Sequence, residues 1–223
     1  MKQLKMQGRL AGVFYLILIF TGIFSHKIVR ASLYFKGDAI KTANAILNDQ
    51  LLFKLSITSD FIMIIGFIGL GVMLYQLFKE KGMTGSYVIL LLCGIGAAMM
   101  AINMVNQFAT LVVLVDYQSL GFNIEQSRGL ALLFMKLHQF GYQAATISYG
   151  LWLLPIGFFG LKSKLFPKPI NYLLMLGAIT YMIYFFVSFY CNTFPSDITL
   201  PADLGEFSLC IYLLIKGVNA KSV

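Results

Sequence analysis

Residues Leu52–Phe78 read LFKLSITSDFIMIIGFIGLGVMLYQLF, and the fold class follows from this stretch. From Phe61 to Phe78 there are 18 residues without one Asp, Glu, Lys or Arg. At 1.5 Å per residue this is about 27 Å of helix, close to the thickness of a bilayer's hydrocarbon core. Five further runs have the same character: Leu10–Val29, Tyr87–Val115, Leu130–Leu161, Ile170–Tyr190 and Leu200–Ile215. The predicted architecture is all-α, a polytopic bundle of six transmembrane helices forming one transmembrane domain over residues 1–223.

Composition agrees. Hydrophobic residues make up 59% of the 223, and charged residues only 12%. A soluble domain carries about 25% charged residues, so lipid must cover part of this surface. A soluble enzyme, a disulfide-stapled secreted scaffold and a disordered regulator are excluded. The net charge of +8 does not point to nucleic acid, because the basic residues are spread between apolar runs. Cys93, Cys191 and Cys210 are too few for a disulfide framework and read as small hydrophobes.

The loops predict orientation. With the N terminus inside, the inner segments hold Lys2, Lys5, Arg9, Lys79, Lys81, Lys162, Lys164, Lys168, Lys216 and Lys221, against the single acid Glu80. The outer segments hold Asp38, Asp49, Asp116, Glu125, Asp197 and Asp203. This is the positive-inside bias, with both termini cytoplasmic. Basic residues before the first apolar run imitate a signal peptide, but the run is long and a retained helix is expected. Between the first two spans, Ile40, Ala43, Ile46 and Leu47 fall at helical spacing behind Asp38. They predict a short amphipathic helix on the outer face, with Asp38 as its N-cap.

Ionisable groups inside a membrane helix cost about 2.5–3.5 kcal/mol each at mid-depth and normally have partners. Asp60, His138 and Glu206 are such groups; Asn103, Asn106 and Gln107 share one face of the third helix. His138 begins a stripe continued by Tyr142, Ala145, Tyr149 and Trp152, and His26 lies near the outer end of the first helix. Asp60 stands 19 residues before Lys79 and His138 24 before Lys162, while Glu206 is only ten before Lys216. These counts put the groups in the outer half or middle of the membrane. Together they suggest a polar site open to the outside, binding ligand or exchanging protons through Asp60, Asn103, Asn106, Gln107, His138, Tyr142 and Glu206.

Plainer readings stand beside this one. Asp60 neutralises Lys54 or Lys136; the amides hold helices together; Glu206 and Asp203 favour a helix N-terminus; the aromatic stripe is packing. Gly66, Gly69, Gly71, Gly94 and Gly96 read as points of close helix contact. Asp60, His138 and Glu206 also have the chemistry to ligate a transition metal such as Zn, although no paired-His spacing is present. No P-loop, dinucleotide fingerprint, nucleophile elbow or haem attachment motif occurs.

One set of motifs carries a resemblance. Arg9-Leu10-Ala11-Gly12 and Thr21-Gly22-Ile23-Phe24 are followed by Gly37-Asp38-Ala39, Thr42-Ala43-Asn44, Ser59-Asp60, His138 with Gly141-Tyr142, and Leu200-Pro201 with Gly205-Glu206. In this order they resemble the bacterial multi-pass membrane proteins grouped as domain-of-unknown-function family 4386, from about Arg9 to Gly217. The resemblance implies a bacterial cytoplasmic (inner) membrane protein and supplies no activity.

The expected function is binding of a small amphipathic molecule or lipid in an outward-facing cavity, with transport or sensing built on it. Six helices are few for an alternating-access carrier, so transport implies a homodimer. The rival from another class is an intramembrane metal-assisted hydrolase or transferase acting on lipid, with Asp60, His138 and Glu206 as ligands. A third reading is a structural or accessory membrane subunit.

Overall fold

The computed structural model describes residues 2–191 and 196–219. Lys221, one of the basic residues in the orientation argument, lies outside them. In chain order the helices are α1 (Lys2–Gly22), a π-helical segment (Ile23–Val29), α2 (Arg30–Leu33), α3 (Ala39–Asn48), α4 (Gln50–Phe78) and α5 (Met83–Val115). They continue with α6 (Ile124–Leu151), α7 (Leu153–Ser163), α8 (Lys168–Tyr190), a 3₁₀ turn (Ser196–Thr199) and α9 (Leu200–Lys216). Among the described residues there is no strand, and six helical stretches are long and apolar enough to cross a membrane. Ile65, Leu91, Ile102, Val105 and Phe186 stand more than half exposed on them, as side chains facing lipid do.

The predicted spans are extended rather than displaced: the helix read as Tyr87–Val115 starts at Met83, and that read from Leu130 starts at Ile124. The latter is divided at Trp152, which the run Leu130–Leu161 did not anticipate. Pro155 is the cause. It has no N–H for the Leu151 carbonyl and its ring crowds that group. The predicted amphipathic helix is α3, and Asp38 caps it by accepting the Lys41 N–H at 2.8 Å. Its buried face is Thr42, Ala43 and Ile46, while Ile40 is exposed. Thr42 holds the inward position because its hydroxyl bonds the Phe35 backbone in both directions, at 3.0 and 3.1 Å.

The chain divides into two units. One comprises Met1–Ile17, Ile65–Ala98 and Gln143–Val223. In it α8 packs against α7 and α9, and Tyr15, Phe67, Leu70, Leu74 and Trp152 are buried. Phe67 meets Tyr149 and Trp152 edge-on, at ring-centroid distances of 5.1 and 5.0 Å. Near-contact of α1 and α9 depends on Gly12: a Cβ there would stand 2.7 Å from the Leu214 backbone nitrogen. Gly69, Gly71 and Gly96 likewise face neighbouring side chains, whereas Gly94 faces open space and its lack of a side chain serves no contact.

The other unit is Leu18–Ile64 with Met99–Tyr142. Its buried interior is unusually polar: Ser25, Ser56, Asp60, Asn103, Gln107, Thr110 and His138 are all within it. The candidate site lies here.

Candidate functional site

The site begins with a fault in a helix. Thr21 and Ser25 stand one turn apart, and Ser25 Oγ lies 3.0 Å from the Thr21 carbonyl and 3.2 Å from that of Ser56 on α4. Ser59 donates to the same Thr21 carbonyl at 3.1 Å. Hydroxyls bonding back to helix carbonyls compete with the regular ladder, and here it widens into the π turn over Ile23–Val29. Such wide turns recur at functional sites. His26 lies inside this one, and Arg30 directly follows it.

Arg30 joins the cluster together. Its Nη1 donates to His26 Nδ1 at 2.7 Å, and its Nη2 to Asp60 Oδ2. A guanidinium can only donate, so His26 Nδ1 is the acceptor and the neutral ring carries its proton on Nε2. That nitrogen is 3.4 Å from Asp60 Oδ1. Asp60 has no exposed surface, and the Arg30 side chain is 10% exposed. A buried carboxylate is tolerable because this cation sits against it. The partner weighed from the sequence was Lys54 or Lys136; in the structure it is Arg30.

His138 comes from α6. Its ring stacks on that of His26 at 6.4 Å between centroids, and Tyr142 covers His26 at 4.3 Å. His138 Nδ1 is 3.4 Å from the Asn103 carbonyl, and Asn103 Nδ2 donates to the His138 carbonyl at 2.9 Å. Carbonyls only accept, so in the neutral ring the proton is on Nδ1 and Nε2 holds a lone pair. Gly141, three residues on, leaves the space that the Asn103 side chain occupies. Asn106 donates to Asn103 Oδ1 at 3.0 Å. Asn103 and Asn106 therefore hold α5 to α6 and position His138.

A cavity of about 230 Å³ opens beside this cluster. His26, Arg30 and Tyr34 line it from one side, and His138, Gln139 and Tyr142 from α6, with Met135 as an apolar patch. Burial raises the Tyr34 phenol above its ordinary value. Two buried atoms of the cluster lack hydrogen-bond partners, Arg30 Nε and His138 Nε2, whereas His26 Nε2 and Asp60 Oδ1 face each other at 3.4 Å. Unpaired buried polar atoms cost about 1–3 kcal/mol each, so each one kept in a native structure needs a reason such as strain, a catalytic role, or a bound water or ion.

Among the sequence-chosen residues, Asp60, Asn103, Asn106, His138 and Tyr142 thus come together. Gln107 is buried in the same unit, with neither amide atom bonded. Glu206 belongs to the other unit, where its electrostatic neighbours are Tyr15 and Asp203. Among the described residues no three His, Cys, Asp or Glu side chains form a group able to hold a metal ion, so Asp60, His138 and Glu206 do not assemble as one. Arg30 was not singled out from the sequence, whereas Gln139 reads there, with Gln143, as a second polar strip beside His138.

A family model described as a domain of unknown function, DUF4386, matches residues 10–217. No curated protein and no solved structure matches the chain.

Proposed function

The chain belongs to the DUF4386 family, and from the geometry of its polar site we propose that it binds the polar head of a small amphipathic molecule or lipid. One observation carries this reading: the unpartnered atoms of Arg30 and His138 belong to side chains that line one cavity. At about 230 Å³ the cavity is smaller than the roughly 300–1,000 Å³ of a whole-ligand pocket. It suits a headgroup whose apolar remainder lies outside, along helices that already face lipid.

The basic loops support a cavity open to the outer side of a bacterial cytoplasmic membrane. Transport or sensing would use this binding step, and transport would add a second copy of the chain.

Native mass spectrometry of protein purified in mild detergent tests the proposal. A small molecule retained by the wild type and lost from His138→Ala supports it. A bare chain in both samples overturns it.

A further inference from the structure

We infer that the head accepted by this cavity is an oxyanion, a carboxylate or a phosphate, held by Arg30 with Asp60 as a fixed counter-charge behind it. The inference rests on the cavity reading above and names its ligand chemistry. Among the described residues Arg30 is the one side chain of permanent charge on the cavity wall, and no carboxylate lines it. Asp60 binds the guanidinium through Nη2, does not line the cavity and is itself fully buried.

The arrangement meets two requirements at once. An arginine beneath lipid-facing helices needs a neutralising partner, and Asp60 is that partner. A guanidinium has five N–H donors, and two bonds, one to His26 Nδ1 and one to Asp60 Oδ2, leave others unspent. Its Nε–H is buried without a partner. Tyr34 on the Arg30 side and Gln139 on the α6 side add side chains with hydrogen-bond donors to the lining. A cationic head would meet Arg30 there with no acid to receive it. An oxyanion would gain charge-assisted hydrogen bonds, roughly twice as strong as neutral ones.

The test measures the thermal unfolding midpoint of the full chain in an uncharged maltoside detergent. Probes are octanoate, octyl phosphate, octanol, octylammonium and inorganic phosphate. Octanoate or octyl phosphate should raise the midpoint saturably, and octanol and octylammonium should not. Arg30→Gln with Asp60→Asn, which leaves no unpaired charge, should weaken the effective probe about tenfold or more. Arg30→Lys should weaken it as well, since the fork is lost while the charge remains. That second variant keeps the test informative if the double variant does not fold.

Inorganic phosphate as effective as octyl phosphate would make the ligand a free anion; an effect confined to the octyl probes would make it a lipid-like head. If octanol or octylammonium acts equally, and His138→Ala abolishes the effect, the cavity reading stands and the oxyanion inference falls. If no probe shifts the wild type, the oxyanion inference also falls, and the molecule retained in native mass spectrometry decides the cavity reading separately.

Discussion

Asp60 on α4 is paired with Arg30, 30 positions earlier in the chain, and neither Asp60 oxygen reaches the surface. The same guanidinium holds the His26 ring through Nδ1. The pair therefore neutralises a buried charge and also fixes one wall of the cavity.

Breaking this pair from one side should be costly. Asp60→Asn leaves a buried guanidinium without its counter-charge, and such losses run to about 3–5 kcal/mol. Arg30→Gln with Asp60→Asn removes both charges and should cost less than the two single changes combined. A double-mutant cycle on the unfolding midpoint measures the difference; strictly additive effects would mean that the two residues are not coupled.

The approach of α5 to α6 gives a second prediction. A Cβ on Gly141 would overlap the Asn103 side chain, so Gly141→Ala should displace that amide from the His138 carbonyl. The expected loss is about 1–3 kcal/mol, the usual range for overpacking. Adding Asn103→Ala should restore part of it by making room. If Gly141→Ala unfolds at the wild-type temperature, the Asn103 contact does not constrain the two helices.

Much of this was legible in the chain, and what was missed has physical causes. The spans could be read because lipid demands long uncharged runs, and α3 because Asp38 precedes a helical apolar pattern. Asp60 and His138 stood out through the cost of placing them in a membrane. Arg30 did not, because it follows the apolar run Leu10–Val29 and reads as a flanking charge. Its inward position depends on the π turn, where the Ser25 and Ser59 hydroxyls bond the Thr21 carbonyl, and no hydropathy pattern encodes that. The interruption at Trp152 was in principle readable from Pro155. Which buried groups meet is a matter of helix neighbours, which one sequence does not display.

Thiol reactivity tests burial and orientation together. Cys93 and Cys210 are buried, Cys210 with its thiol 3.7 Å from the Gly12 carbonyl, whereas Cys191 is exposed at the end of α8. A maleimide should label Cys191 alone in the folded protein, and all three cysteines after denaturation. With an impermeant maleimide on intact cells, labelling of Cys191 is expected if the segment between α8 and α9 is outside. Labelling that appears only after the membrane is opened would reverse the orientation.

Glu206 should behave unlike Asp60. Among the described residues the ion pairs are those of Asp60, and Glu206 has Tyr15 and Asp203 as its electrostatic neighbours, with no Lys, Arg or His paired to it. Replacing it with the isosteric amide therefore abandons no buried cation. Glu206→Gln should change stability by less than about 1 kcal/mol, since an amide of the same shape leaves no charge unpaired. Asp60→Asn measured alongside provides the contrast. A loss at Glu206 as large as that at Asp60 would mean that Glu206 does hold a buried cation, and that the charge balance of its unit differs from the one described.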